Sequence, residues 1–328
     1  MGVDNGDGGR GEDMPPEEWL RARTFDGAGA DPERLAATLA ERGLTVSVVI
    51  PALEVAGTIG GIVDAVRERW IDDLPLVSEL IVVDSRSSDA TARLAAEAGA
   101  TVVQDDEVLP EAGPGSGKGE AMWKSLACTD GDVVVWLDGD THGFRPEYVP
   151  RLLQPLVDEP EIAYVKGFYH RPLGSSGLGG ARVTEICARP LLNLFYPALA
   201  ALAQPLAGEA AGRRELLERL PLFTGYGVET GLVIDILRLR GMPAMAQVDL
   251  GERRQDHQST AALGRMAYVI LQVVMRRLAD EGRAPADLAL AGPYLQPLAG
   301  DGGPALLASD LPLLERPPMV ETRHRVSG

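Results

Sequence analysis

Two carboxylates flanking a glycine, Asp138-Gly139-Asp140, close the apolar run from Val133 to Leu137. A buried strand that ends in acids sets anionic oxygens at the carboxyl edge of a sheet, where open α/β folds bind their ligands. Hard oxygens of this kind suit Mg²⁺ or Mn²⁺, commonly shared with a diphosphate. Many strands end in an acidic turn, so the pair gains meaning only from what accompanies it. Upstream, Lys118 stands among glycines in the stretch from Gly113 to Gly119. Backbone N–H groups there, and the helix start that follows, could meet an anion; the alternative is a plain surface loop. It is not a P-loop, because Gly119 occupies the place of the required Ser or Thr and no strand immediately precedes it.

Three further segments carry chemistry. Asp84 to Asp89 follows an apolar run, at the position where a base or ribose is often held, or where a turn simply caps a helix. Arg182-Val183-Thr184 follows the glycine-rich stretch from Gly174 to Gly180. A guanidinium and a hydroxyl at a helix start would grip a carboxylate or phosphate, or the Arg is only solvated. His257 closes the polar run from Arg253 and could complete a metal site with the two acids, with His142 as competitor. His170 and His324 have no supporting context.

The elements that must position these groups are legible as periodicity. Val46 to Ile50 is a continuous apolar run closed by Pro51, as expected of a buried parallel strand. Ile59, Ile62, Val63 and Val66 then recur at helical spacing over Thr58 to Arg69. Strand Leu80–Val83 ends at Asp84, and a helix follows to about Ala98. Thr101–Val103 is a short strand, Gly119 to Ala127 a helix, and Asp132 to Leu137 the strand bearing the acids. This alternation predicts a doubly wound, mainly parallel sheet. The second half is less regular: strands over Ile162–Gly167 and Ala244–Leu250, a long apolar helix from about Val183, and helices over Val228–Arg240 and Thr260–Leu278. The tail beyond Gly282 is rich in Pro, Leu and Gly and is expected to pack on a neighbouring surface. The division expected is an N-terminal arm (1–44, its first part disordered), a donor half (45–150), an acceptor half (151–260), and a C-terminal helix and tail (261–328) available for dimer contacts.

Composition narrows the partners. The chain has 328 residues, a 45% hydrophobic share and a formal charge of −17, enough for a sizeable core but repulsive to nucleic acid and anionic membrane. Cys128 and Cys187 are the two cysteines, so neither a disulfide framework nor a thiolate zinc site is expected, and a reducing cytoplasm fits. The greasiest stretch, Leu191 to Ala203, contains Asn193 and Pro197 and is too short to span a bilayer.

Taken together, Val48 to Leu53, Asp84-Ser85, Leu109-Pro110-Glu111, Gly117 to Ala121, Asp138 to Asp140, and Phe168-Tyr169 with Arg171-Pro172-Leu173 resemble one family. So do Arg182 to Glu185, Ala188 to Leu192, Gln204 to Leu206, Gly208-Glu209, Gly225 to Glu229 and Gln247 to Gly251. The order and spacing, from about Leu44 to Leu278, are similar to the glucosyl-3-phosphoglycerate synthases and the related mannosyl-3-phosphoglycerate synthases. The resemblance implies a GT-A fold, a homodimer, a divalent metal (Mg²⁺ or Mn²⁺), and retaining transfer of a hexose from a UDP- or GDP-sugar to 3-phosphoglycerate. It implies Asp138, Asp140 and Glu229 as catalytic residues. Pro51, Ala52, Leu53, Ser85, Lys118, Asp138 and Gly139 would bind the donor. Arg182, Val183, Thr184, Tyr226 and Arg253 would bind the acceptor, and Asp140 and His257 the metal.

There are departures. Glu54-Val55-Ala56 replaces Asn-Glu-Glu, which displaces a carboxylate that would grip the ribose. Gly139 replaces a commoner serine, and Ala181 a glycine. Without gaps the metal histidine falls on Gln255, and His257, two residues later, is the expected substitute. The rival readings are a glycosyltransferase with another anionic acceptor, a nucleotidyltransferase, and a nucleotide-sugar-binding homologue with a decayed metal site. Against the second, Leu53 to Gly60 is not the glycine- and arginine-rich loop such an enzyme wants.

Overall fold

The computed structural model describes residues 14–170, 182–253, 259–285, 292–300 and 303–326. Its strands are β1 (Thr24–Phe25), β2 (Val46–Ala52), β3 (Glu79–Asp84), β4 (Thr101–Gln104), β5 (Val133–Trp136), β6 (Tyr164–His170), β7 (Ala210–Arg213), β8 (Leu222–Phe223) and β9 (Met245–Glu252). All but β8 form one sheet in the order β1-β9-β6-β7-β5-β2-β3-β4. β7 runs antiparallel to both its neighbours, β5 and β6, and the other pairings in this sheet are parallel. β10 (Tyr294–Gly300) and β11 (Gly303–Ser309) form a separate antiparallel pair, and β12 (Glu315–Arg316) pairs with β8.

The helices are α1 (Pro16–Ala22), α2 (Pro32–Arg42), α3 (Ile59–Arg67), α4 (Thr91–Glu97), α5 (Lys118–Ser125), α6 (Tyr148–Asp158), α7 (Arg189–Phe195), α8 (Arg214–Leu217), α9 (Val228–Arg240), α10 (Thr260–Asp280) and α11 (Met319–Val326). They cover both faces of the sheet. Successive strand side chains alternate in direction, so Val48, Ile50, Val133 and Val135 pack with residues of α2, α3 and α6, while Val49, Val134 and Trp136 pack with those of α5, α9 and α10. Burial on both faces explains the unbroken apolar runs of β2, β3 and β5.

One expectation is corrected, and two features are added. The helix from about Val183 is instead a π-type turn over Thr184–Ala188, then α7, then a 3₁₀ turn over Pro197–Ala201. Pro197 has no N–H to continue the helical ladder, which splits the apolar stretch. Within the tail, β12 pairs with β8 of the same chain. β1, two residues long, was too short to leave a pattern, yet it extends the sheet beyond β9. Among the described residues, no helix is long and apolar enough to cross a membrane.

Candidate active site

Parallel pairing brings the chemistry to one edge. Ala52 of β2 is in register with Asp84 of β3, and Val49 with Trp136 of β5, so Pro51 to Leu53, Asp84-Ser85 and Asp138 to Asp140 all emerge at the carboxyl end of the sheet. Lys118 opens α5 after Gly117, whose φ of +83° suits a residue without a Cβ. Gly119, one residue on, packs so closely on β8 that a Cβ there would overlap the Phe223 carbonyl oxygen. Glu229 lies in the first turn of α9.

These groups meet in one ion-pair network. The Lys118 Nζ lies 2.5 Å from Asp138 Oδ1 and 3.0 Å from Glu229 Oε1. The Arg253 guanidinium, set over the Tyr169 ring, reaches Glu209 at 2.8 Å, Asp138 at 3.4 Å and Asp140 at 3.6 Å. Burial alone would raise the Asp138 carboxyl, but Lys118 and Arg253 overcome it and hold it at about 2. Glu209 moves the other way: burial, then the nearby Asp138 charge, push its carboxyl up against the pull of Arg253. Burial works against the charged forms of Lys118 and Arg253, yet the surrounding carboxylates outweigh it and raise both. Asp138 is therefore a fixed anion.

Of the residues expected from sequence, Asp138, Asp140, Lys118, Glu229 and Arg253 are brought together by these contacts. Ser85 stands at the sheet edge, its backbone N–H donating to the Ala52 carbonyl oxygen at 2.9 Å. Leu53 is 53% exposed, as befits a residue that could lie against a base. The Gly139 carbonyl oxygen accepts a hydrogen bond from the Thr58 hydroxyl at 2.6 Å, and a Cβ on Gly139 would sit 3.1 Å from the Pro51 carbonyl oxygen. Glu54, at φ +53°, accepts hydrogen bonds from the Ser88 backbone N–H and hydroxyl, which commits its carboxylate to the loop after β3. Tyr226 is 56% exposed and Arg182 is exposed, while Thr184 is buried. Val183 packs with Ala188 and Ile270, so its side chain serves a small apolar cluster. His257 and Gln255 lie outside the described residues.

Two members were given no site role from the sequence, although Gly208-Glu209 is among the segments that carry the family likeness. Glu209, fully buried, joins Arg253 and accepts from the Thr141 hydroxyl at 3.3 Å. Its signal was a lone acid ahead of the small residues Ala210 to Gly212 of β7. Lys166 of β6 is 2% exposed and in register between Gln247 and Ala210. Burial lowers its ammonium to about 8, with Glu229, Lys118, Asp138 and Glu209 all within electrostatic reach.

The donor set suits a hard divalent cation. The Asp140 side chain is 71% exposed and, among the described residues, forms an ion pair with the Arg253 guanidinium at 3.6 Å, so its oxygens are open to solvent. Among the described residues no group of three or more His, Cys, Asp or Glu is arranged to hold a metal. One or two carboxylates with the rest of the coordination left to water and substrate phosphate is the arrangement that Mg²⁺ favours.

Comparison with known proteins gives the family and the fold. The family profile described as Glycosyl transferase family 2 matches residues 47–206. A glucosyl-3-phosphoglycerate synthase of Mycolicibacterium paratuberculosis is 40% identical over 98% of this chain and 96% of its own. The crystal structure of mannosyl-3-phosphoglycerate synthase from Rubrobacter xylanophilus superposes with a TM-score of 0.87 at 44% identity, covering 94% of this chain and 98% of that one. Glucosyl-3-phosphoglycerate synthase from Mycobacterium tuberculosis, in complex with Mn²⁺, UDP and phosphoglyceric acid, superposes with a TM-score of 0.79 at 40% identity, over 90% and 96% of the two chains; another structure of that enzyme holds Mg²⁺ and UDP. With its sheet-edge acids, its lysine-led helix and likeness along nearly its whole length, the chain belongs to the glucosyl-3-phosphoglycerate synthase family of GT-A-fold glycosyltransferases.

Proposed function

We propose that this protein is a retaining, metal-dependent hexosyltransferase that moves glucose or mannose from a nucleotide sugar to the 2-hydroxyl of 3-phosphoglycerate. The observation that carries the reading is the Lys118–Asp138–Arg253 network at the carboxyl edge of the sheet, with Glu229 beside it. Pro51, Ala52, Leu53 and Ser85 hold the nucleoside, and Lys118 with the Gly139 backbone faces the diphosphate. Asp140, with His257, is assigned to Mg²⁺ or Mn²⁺, which when bound neutralises charge on the departing diphosphate as a Lewis acid.

The chain's own groups do the remaining work. As the glycosyl–oxygen bond breaks, negative charge grows on the leaving group, and Lys118, held protonated by its two carboxylates, stabilises it. Arg182, Thr184 and Tyr226 grip the anionic acceptor, which reduces the entropic part of the barrier. Arg253 fixes Asp138 and closes the acceptor side. The attacking hydroxyl approaches on the leaving-group face, with Glu229 holding the hexose. A homodimer acting in the cytoplasm, where phosphorylated acceptors and sugar nucleotides are found, completes the proposal.

The test is direct. The protein is incubated with UDP- and GDP-hexoses, 3-phosphoglycerate, and Mg²⁺ or Mn²⁺, and products are weighed by mass spectrometry. A hexosyl-3-phosphoglycerate with retained anomeric configuration is expected, with UDP-glucose the first donor to try. Free UDP and hexose, with no glycoside across acceptors, would overturn the reading.

A further inference from the structure

The C-terminal segment places two adjacent charges, Glu315 and Arg316, on β12, where neighbouring positions point to opposite sides. On one side Glu315 lies 2.5 Å from Arg277 of α10, which also holds Asp235 of α9 through two nitrogens at 2.7 and 2.6 Å. On the other, Arg316 grips Glu120 of α5 in a two-point contact at 2.7 and 2.9 Å. The same guanidinium donates to the carbonyl oxygens of Ala112 at 2.5 Å and Gly113 at 2.9 Å, and lies 5.3 Å from the Trp123 ring centre. Trp123 in turn donates its indole N–H to the Pro317 carbonyl at 2.8 Å, and the Thr224 N–H donates to the Leu314 carbonyl at 2.9 Å.

Glu120 is fully buried and Arg316 5% exposed. A buried ion pair is weak evidence for stability, because desolvation offsets most of the attraction; what it does well is fix geometry. The geometry fixed here is that of the loop leading into Lys118. Gly113 and Gly117 both have positive φ, at +74° and +83°, so the loop has little stiffness of its own. A Cβ on Gly115 would run into the Glu120 carboxylate and the Arg316 guanidinium, and one on Gly117 would come within 2.8 Å of Gly225 Cα. The loop is therefore pressed between the Arg316–Glu120 pair and the turn that precedes Glu229.

We propose that Arg316 is a positioning residue for the donor diphosphate: the returning tail clamps residues 112–117, and so sets Lys118 against Asp138 and Glu229. The inference rests on the donor-phosphate role assigned to Lys118 above. Arg316 touches no substrate itself. It acts on a phosphate-binding lysine nearly 200 residues earlier in the chain, as the separation of 196 to Glu120 shows.

The experiment compares Arg316→Met and Arg316→Lys with the unaltered chain. Glu120 keeps Lys124 as a partner at 3.2 Å, so loss of Arg316 does not leave it unpaired. Arg316→Met is expected to raise KM for the sugar nucleotide about tenfold or more, with KM for the acceptor changed less than about twofold. Amide hydrogen exchange over 112–120 should quicken while that of β2, β3 and β5 stays slow. Arg316→Lys, which cannot make the two-point contact and reach both carbonyls, should fall between. If Arg316→Met proves too unstable to assay, Glu120→Gln is expected to show the same donor-selective KM rise. Equal rises for both substrates, or unchanged exchange over 112–120, would overturn the proposal. Lack of turnover by the unaltered chain would instead count against the function proposed above, and the exchange measurement would still decide the clamp.

Discussion

Lys118 Nζ and Glu229 Oε1 face each other 3.0 Å apart, joining the first residue of α5 to the first turn of α9. The same ammonium pairs with Asp138, so a single cation links the segment that follows β5 to the start of α9. Lys118→Met should therefore lower kcat/KM for the sugar nucleotide by about 100-fold or more, on the order of 3 kcal/mol of transition-state stabilisation. Steady-state kinetics with varied donor checks this. A variant within about threefold of the parent would show that the lysine serves only the fold.

Gly208 tests the same network without removing any charge. Its position against the site is so close that a Cβ would overlap Asp138 Oδ1 and Lys118 Nζ. Both obstructing atoms are side-chain ends rather than backbone, so Gly208→Ala can fold by pushing the pair aside. We expect a small change in Tm and a loss of turnover of at least about tenfold, since misplacement of a catalytic group by about 1 Å can cost that much or more. Unchanged turnover with the melting temperature preserved would mean that the pair's position is not critical.

Much of this arrangement could be read before any coordinates, and what could not be read has physical causes. β2, β3 and β5 are buried on both faces, so their apolar runs stand out, and α9 occupies Val228–Arg240 as its bounding glycines suggest. Asp138, Asp140 and Lys118 are conspicuous because acids after an apolar run and a lysine among glycines are chemically odd. β7 is different. Ala210 to Gly212 are small residues that fill a tight space between β5 and β6, and smallness leaves no period to detect. Glu209, just before β7, and Lys166, inside β6, are single charges beside apolar residues, and only tertiary pairing shows the part each plays in the site. Arg253 emerged from family likeness alone. The tail's return to β8 and the pairing of Arg316 with Glu120 join residues distant in sequence, which no local pattern announces.

Asp140 separates metal chemistry from scaffold. Among the described residues its carboxylate makes one ion pair, at 3.6 Å, and is mostly in solvent, so its removal should cost the fold little. Asp140→Asn is expected to retain the parent's Tm in the absence of metal, to lose most of its turnover, and to lose the rise in Tm that Mn²⁺ with UDP gives the parent. EDTA treatment of the parent should abolish turnover, with recovery on adding Mg²⁺ or Mn²⁺. Full activity in Asp140→Asn, or in the presence of excess EDTA, would refute the metal assignment.

Lys166 offers a prediction about pH. Burial lowers its ammonium from 10.5 to about 8, whereas in the unfolded chain the lysine keeps its ordinary value. Between those two values the unfolded chain binds the extra proton, so stability contributed through this group rises with pH across that window. Below pH 8 both states hold the proton and the whole penalty of burying a charge is present, on the order of 3 kcal/mol by the size of the shift. Lys166→Met fills similar space without a charge, so it should melt above the parent at pH 7. The gap should shrink as pH is raised from 8 towards 10, because the parent relieves its own penalty by releasing the proton. Thermal melts across that range read the difference. A gap independent of pH would mean that the ammonium is compensated by its carboxylate neighbours. A destabilised variant that also loses turnover would mean that the charge itself, placed near Glu229 and Asp138, helps hold the site together.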